Sequence, residues 1–442
     1  MLPMLKKIIS LSFIGLLALP VLANDTSYIN PGVKYGDRSC PLKQHKKYKT
    51  AFDADCRCGH NSSKSTGLEE CMRPTEVALN RGSQVAEGPS FSTYHNAHIS
   101  GGFIDYENNE LIASVYWDNS KDAKGLVVAY NLDDWSRRFI SGEAQDEYGP
   151  MAIAEGPNFH LLKDIQPGPD GNWYAFNYVY RKNTKESFGS GPVIYKVNPK
   201  DGKRSIVWEA RNGKYGQCPS GRKSIKRESQ KYVQYTQEVF AVDPKDGSYV
   251  VSFNNSKMGG TGFARISKDG AKCDFISLSG KRDDGLKVGR GFDMRGPMLG
   301  AYLHNGKLYT HSTGEKTLFE IDPKTGNRKA VMKKSPKPQA WRHVQWDEKR
   351  NVFWISGKMN SAMVTAWEPG SKKVLITDKS CSGKDAWASW FTMCKEGPLA
   401  TLTLNYGPMW LNKKTGTLLF GYDSIGIVEY EPETGNSINR SF

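Results

Sequence analysis

The chain repeats a short turn sequence between apolar segments. Pro-Lys-Asp-Gly, Pro-Lys-Thr-Gly or Pro-Glu-Thr-Gly lies in the middle of segments 193–207, 239–253, 317–331 and 427–441. Proline early and glycine late are the positions of a tight turn that favour a fixed φ and a positive φ, respectively. Strand, turn and strand, repeated along a chain of 442 residues, predict an array of similar antiparallel sheets.

Six such units can be laid out, and they predict an all-β fold, a β-propeller of six blades. The high content of glycine (44) and aromatic residues (11%) agrees with strands and turns. A count of seven blades is the alternative if residues 24–95 or 141–160 add strands. The alternative fold is a β-sandwich with long insertions. We expect the C-terminus to supply an outer strand and an N-terminal segment to close the ring. The second strands are predicted to begin near Leu111, Trp173, Tyr249, Leu308, Val352 and Leu418.

The N-terminus has the pattern of a secretory signal peptide. Lys6 and Lys7 precede an apolar run over residues 8–22, and Val21 and Ala23 match the small residues of a cleavage site. We predict cleavage after Ala23 and a periplasmic or secreted protein, with a membrane anchor as the alternative. No later stretch is apolar enough to predict a transmembrane segment. The predicted division is a signal peptide over 1–23, a Cys-rich N-terminal extension over 24–95 and the propeller over 96–442.

All eight cysteines lie after the predicted signal peptide, where export favours disulfides. We expect two bridges among the four N-terminal cysteines, and the pairs Cys218–Cys273 and Cys381–Cys394. A zinc site that includes His60 is an alternative, although a Cys-x-Cys-x-His spacing fits structural zinc sites poorly. The N-terminal cysteines are Cys40, Cys56, Cys58 and Cys71.

The chain is strongly basic, with a formal net charge of +15. In an exported protein this charge favours an acidic partner, such as a uronic or sulfated polysaccharide, lipopolysaccharide or extracellular nucleic acid. Residues 222–227 hold part of the charge and are also typical of a solvated loop. Motifs for nucleotide phosphates, serine-nucleophile elbows and HExxH zinc sites are absent, so we expect no nucleotide cofactor.

Counting back from the second strands predicts which residues meet at one end of the channel. The first strand of each propeller blade lines the channel, and ligand sites usually form at its mouth. This register predicts a cluster of histidines, tyrosines and arginines, which is unexpected because the chain has only eight histidines. The candidate catalytic residues are Tyr94, His98, His160, Arg295, His343 and Tyr406. The candidate substrate-binding residues are His95, Tyr235, Trp341, Arg342 and Asn405, with Thr236 at the corresponding position of the third unit.

Histidine, tyrosine and arginine in a cationic cleft suit β-elimination of a 4-linked uronic acid. A cation neutralises the carboxylate, a base removes the C5 proton, and an acid protonates the leaving oxygen. No pair of carboxylates is needed, unlike in glycoside hydrolysis. With its repeats, predicted export, positive charge and the segment Tyr94-His95-Asn96-Ala97-His98, the chain resembles the propeller polysaccharide lyases, the ulvan and oligogalacturonate lyases. That resemblance implies an acidic polysaccharide as substrate. It also allows a divalent metal at a histidine cluster; no cofactor is otherwise predicted.

Two other functions stay open from the sequence. The first is a metal-dependent lactonase or hydrolase of the six-bladed gluconolactonase kind, which Glu87-Gly-Pro and Glu155-Gly-Pro resemble faintly. The second is a propeller without catalytic activity whose basic face binds an acidic glycan or a protein. Glu-Gly-Pro is also a common boundary between blades, and a fold does not determine a function.

Overall fold

The computed structural model of this chain describes the β-strands and the turns that join many of them. It covers residues 34–35, 38–39, 97–117, 124–146, 149–179, 191–209, 234–255, 260–279, 288–294, 298–312, 317–332, 341–357, 363–368, 374–379, 408–422, 426–430 and 437–441. Every regular element within these ranges is a β-strand. A search of the same residues finds no helix with the length and hydropathy to cross a membrane.

The strands form a small N-terminal hairpin and six larger antiparallel sheets, each made from one continuous stretch of chain. The hairpin pairs β1 (Lys34–Tyr35) with β2 (Arg38–Ser39). The first sheet contains β3 (Ala97–Asp105), β4 (Glu110–Trp117), β5 (Lys124–Asn131), β6 (Arg137–Asp146) and β7 (Gly149–Ile153). The second contains β8 (Leu161–Pro167), β9 (Trp173–Val179), β10 (Gly191–Val197) and β11 (Arg204–Glu209). The third contains β12 (Gln234–Val242), β13 (Tyr249–Asn255), β14 (Gly260–Ile266) and β15 (Cys273–Ser279).

The other three sheets follow the same order. The fourth contains β16 (Met298–His304), β17 (Lys307–Ser312), β18 (Thr317–Ile321) and β19 (Arg328–Met332). The fifth contains β20 (Trp341–Asp347), β21 (Val352–Gly357), β22 (Met363–Trp367) and β23 (Val374–Lys379). The sixth contains β24 (Met409–Asn412), β25 (Thr417–Tyr422), β26 (Gly426–Tyr430) and β27 (Ser437–Ser441). The sheets are called blades 1 to 6 below.

The first strands of the six blades form a closed ring. β3 contacts β8, β8 contacts β12, β12 contacts β16, β16 contacts β20, β20 contacts β24, and β24 returns to β3. Each blade is therefore arranged radially, with its first strand innermost, which is a β-propeller. The predicted propeller is confirmed, and the described sheets number six. The alternative of a two-sheet sandwich is wrong.

Apolar side chains are buried between neighbouring blades. Ile112 of blade 1, for example, belongs to the same buried cluster as Leu162 and Trp173 of blade 2. Blade 6 packs against blade 1 in the same way, where Trp410 and Ile99 share a cluster. Because one blade exposes both apolar faces when alone, the ring is needed to remove them from water.

The second strands begin within one residue of the predicted positions, at Glu110, Trp173, Tyr249, Lys307, Val352 and Thr417. In blade 3 the repeated turn explains this accuracy, because Gly247 lies just before the second strand. Gly202, Gly247 and Gly326 all adopt positive φ, between 70° and 73°, a conformation that a residue with a Cβ rarely adopts. The turn sequence serves two places, however. It joins the third and fourth strands at Gly202 and Gly326 but the first and second strands at Gly247.

Two expectations about the edges of the ring have different outcomes. The C-terminal strand β27 is the outer strand of blade 6, as predicted. Residues 141–160 add β7, but it is a fifth strand of blade 1 and not part of a seventh blade. No N-terminal strand joins blade 6 in the described part of the chain, where β24 closes the ring by packing on β3.

A buried arginine holds the linker that enters blade 2. Arg204, the first residue of β11, donates from Nε to the carbonyl of Pro157 at 2.9 Å and from Nη2 to that of Gly156 at 3.1 Å. Its Nη1 donates to the hydroxyl of Ser141 in blade 1, at 2.9 Å. One side chain therefore joins two blades and the linker between them.

The same device recurs between blades 3 and 4. Arg328, the first residue of β19, donates from Nε to the carbonyl of Phe292 at 2.8 Å and from Nη1 to the hydroxyl of Ser277 at 2.8 Å. Burial lowers the pKa of both Arg204 and Arg328, yet a guanidinium remains charged at neutral pH. The two linkers therefore occupy equivalent positions.

In blade 3 a cysteine takes the place of this arginine. Cys273 pairs with Ile266 across the sheet, as Arg204 pairs with Val197. Cys273 is buried and disulfide-bonded. Its partner, and all the other cysteines, lie outside the described residues.

We predict that Cys218 is the partner of Cys273. The linker entering blade 3 covers residues 210–233 and contains this single cysteine, so the bond would fix that linker as the arginines fix theirs. Peptide mapping of the unreduced protein by mass spectrometry should find the linked pair. Recovery of Cys273 linked to any other cysteine would contradict the prediction.

Candidate functional site

The structure places several predicted site residues at the beginning of inner strands. His98 is the second residue of β3, and His160 immediately precedes β8. Tyr235 and Thr236 lie early in β12, and β20 begins with Trp341, Arg342 and His343. The predicted residues Tyr94, His95, Arg295, Asn405 and Tyr406 lie outside the described residues.

These strand beginnings lie at the same end of the ring. β3 and β8 run in parallel, because Ser100 donates to the carbonyl of Leu162 at 2.6 Å and Gln166 donates to that of Gly102 at 3.3 Å. The other blades repeat the same strand order. We call this end of the channel the mouth, and the opposite end the lower opening.

Three partly exposed side chains meet at the mouth between blades 1 and 2. His98 and Tyr116 are cross-strand partners in β3 and β4, and their ring centroids are 5.1 Å apart. The Lys163 ammonium of β8 lies 3.8 Å from the centroid of the Tyr116 ring. The structure thus combines a base, a phenol and a cation, which we call the mouth cluster. Sequence reasoning found His98 but missed Tyr116 and Lys163.

A β-bulge gives Lys163 its position. The pairing of β8 with β9 shifts register between Leu162 and Asp164, so Lys163 is the additional residue. Bulges redirect a side chain and are common beside functional sites. Arg342 is the additional residue at the corresponding shift in β20, and both lie ten positions before a second strand. The position ten residues before the second strand, which Arg342 occupies in blade 5, is therefore the position of Lys163 in blade 2.

His160 is held by its own backbone and by the linker that precedes it. Its N–H donates to Oδ1 of the buried Asn177 at 2.8 Å. The preceding residue, Phe159, is fully buried and packs so closely on Gly125 that a Cβ there would lie 2.7 Å from the Phe159 Cβ. The linkers held by Arg204 and Arg328 are equivalent. In the sequence, Arg295 therefore occupies the same position after its linker as His160 occupies after its own. The place of Arg295 at the mouth stays a prediction, because this residue lies outside the described part of the chain.

Asp164, beside Lys163, is a half-buried acid that connects blades 1 and 2. Its Oδ1 accepts from the N–H groups of Gly102 and Ile165, each at 2.8 Å, and from Gln166 at 3.1 Å. A Cβ on Gly101 would collide with this carboxylate. Burial raises the pKa of Asp164 to about 7, although these hydrogen bonds lower it. This residue had no signal in the sequence beyond its place next to the bulge.

No group of three or more histidine, cysteine or acidic side chains that could hold a metal ion occurs among the residues described. The mouth cluster itself supplies imidazole, phenol and ammonium groups.

Comparison with known proteins adds only distant similarities. No family model matches the chain, and no curated protein matches it. One similar structure is that of a protein of unknown function from Bacteroides thetaiotaomicron, with 11% identity, a TM-score of 0.42, and coverage of 76% of this chain and 70% of that chain. A candidate 6-phosphogluconolactonase from Bacteroides uniformis has 9% identity, a TM-score of 0.40 and coverage of 78% and 82%. A chain of a nidogen/laminin complex has 13% identity, a TM-score of 0.36 and coverage of 63% and 78%. Similarities this low give no information about activity.

We predict that Asp164→Asn stabilises the protein at alkaline pH. Because the folded-state pKa of about 7 exceeds the ordinary value of 3.8, the acid favours folding most below pH 4, and this contribution is lost as the pH rises through 7. An asparagine keeps an oxygen for the N–H groups but carries no charge. Thermal unfolding should show a gain of roughly 2 kcal/mol at pH 8.5, which shrinks as the pH falls below 7 and disappears below pH 4.

Asp170→Asn is the control with the opposite sign. Hydrogen bonds from Lys196 and Tyr174 lower the pKa of Asp170 to about 2, even though burial opposes them. The contribution of Asp170 is thus present above pH 4 and is lost as the pH falls toward 2. Because this ion pair is exposed, its loss should cost less than about 1 kcal/mol. A destabilised Asp164→Asn protein at pH 8.5 would show that the carboxylate charge is needed between the blades.

Proposed function

We propose that this propeller is an exported protein that binds an acidic, uronate-containing polysaccharide at the mouth and cleaves it by β-elimination. The observation that carries the proposal is the mouth cluster. A tyrosine lies beside both a histidine of its own blade and a lysine of the next blade, and all three are partly exposed. These are the three kinds of group that elimination of a uronate requires.

Each side chain has a role in this proposal. The Lys163 ammonium pairs with the uronate carboxylate, which disperses the negative charge that develops when C5 loses its proton. His98 accepts that proton. The C5–H electron pair forms the C4–C5 double bond while the bond from C4 to the bridging oxygen breaks. Tyr116 donates its phenolic proton to the leaving oxygen. His98 then releases the C5 proton to solvent and the Tyr116 phenolate takes one up, so protons and electrons balance and both side chains are restored.

The remaining predicted residues fit the same proposal as binding groups for neighbouring sugars. Arg295 follows the linker of blade 4, and Arg342 is the bulge residue of blade 5. Both are cations at positions equivalent to His160 and Lys163, respectively. A polysaccharide with a carboxylate on each sugar would meet such cations repeatedly around the mouth, and the net charge of +15 would attract it.

Lys163→Ala should lower kcat/KM for uronate polysaccharides by about 100-fold or more, because it removes the cation beside the carboxylate. His98→Ala should abolish turnover but leave polysaccharide affinity almost unchanged, because proton abstraction occurs only in the transition state. The ultraviolet absorbance of the unsaturated product, over a panel of polyuronates, measures both effects.

Lys200→Ala is the matched control. It removes the same charge from an exposed turn of blade 2, so it should keep normal activity. A propeller that only binds its glycan would give no absorbing product with any polyuronate, and His98→Ala would then change affinity alone. That result would refute the elimination mechanism.

A further inference from the structure

The lower opening carries a second group of aromatic and polar residues. It lies where inner strands end. Tyr106 follows β3, Tyr302 and His304 end β16, and Trp346 is the last residue but one of β20. Lys413 follows β24 and is exposed. Four of the six blades thus contribute to this group, and none of these residues takes part in the mouth.

Two tyrosines belong to this end of the channel. Tyr106 follows the end of β3 in blade 1, and Tyr302 lies near the end of β16 in blade 4, on opposite sides of the six-membered ring. Burial is the main cause that raises the pKa of Tyr302. The Tyr106 hydroxyl is fixed there, since it donates to the carbonyl of Leu411 at 2.9 Å.

The aromatic rings of blades 4 and 5 form a partly exposed platform. The His304 ring lies 4.6 Å from the Trp346 ring and 6.3 Å from the Tyr302 ring. All three residues are half-buried. The Trp346 indole N–H is buried and has no hydrogen-bond partner among the described residues, so Trp346 contributes only the partly exposed part of its ring to the platform.

The charges around this platform are mixed. Glu348 and Lys413 are both exposed, and both act on His304, whose pKa is lowered mainly by burial. A carboxylate and an ammonium together can accept from and donate to hydroxyl groups. The lysine of the mouth cluster, by contrast, favours an anionic group. A ligand here should therefore be uncharged and rich in hydroxyl groups.

We propose that the lower opening binds the ring of a neutral sugar. The apolar face of a pyranose would stack on the His304 and Tyr302 rings. Its hydroxyls would bond to the exposed Glu348 and Lys413 side chains. The site needs no catalysis at the mouth, so it is independent of the proposed elimination and would let the protein hold a second, neutral glycan.

Saturation-transfer NMR on the full-length mature protein tests this site, with cellobiose and maltose as neutral probes and a galacturonate disaccharide as the acidic probe. At least one neutral disaccharide should receive saturation. The acidic disaccharide should displace that neutral sugar only poorly. Calorimetry with that sugar should give affinities about tenfold weaker for Tyr302→Ala and for Lys413→Ala. Lys413 is exposed in a turn, so its replacement should not affect folding.

Lys163→Ala is the control, because it should abolish activity on polyuronates yet leave neutral-sugar binding unchanged. Equal loss of binding in Lys163→Ala would place the neutral sugar at the mouth and overturn the proposal. So would the absence of saturation transfer to both neutral sugars, or unchanged affinity in both Tyr302→Ala and Lys413→Ala. None of these results depends on whether the mouth is catalytic.

Discussion

Burial of apolar surface between neighbouring blades is the constraint on which the rest of this structure depends. A single blade has two apolar faces, and each is covered only by the next blade. The ring therefore has to close, which brings the inner strands of blades distant in sequence around one channel. Both candidate sites follow from this closure, because each is built from strand ends that belong to different blades.

The linkers between blades determine which residues lie at the beginning of the inner strands. A linker must pass from the outside of one blade to the mouth of the next, and its backbone groups must be satisfied on the way. Arg204 and Arg328 satisfy several carbonyls at once and fix two of these linkers at equivalent positions. The residue that follows the first of these linkers, His160, is thereby placed at the start of an inner strand. The bulge at Lys163 adds a cation from the strand itself.

The sequence predicts the sheets well because turns report on local backbone geometry. Positive φ at Gly202 and Gly326 marks where strands end, so strand positions could be counted. The mouth cluster could be predicted only in part. His98 follows from the count, but the approach of Tyr116 to Lys163 depends on packing between two blades and on a bulge, and neither leaves a local signal. The lower opening was missed because the count was applied to the beginnings of strands and not to their ends.

The half-buried acid Asp164 shows a further limit of sequence reasoning. An aspartate in a β-strand is unusual, but only the structure shows that it accepts hydrogen bonds from the neighbouring blade. Its burial also depends on Gly101, whose missing side chain makes the space. Such a pair is specified by two blades together, so neither segment alone predicts it.

A crystal structure of the His98→Ala protein with a uronate oligosaccharide would test the central claim most directly, since this variant should bind but not cleave. We predict a sugar carboxylate paired with the Lys163 ammonium at the mouth, and a C5–H directed at the space left by the His98 imidazole. An oligosaccharide bound at another surface, or at the mouth with its carboxylates away from Lys163, would contradict the account.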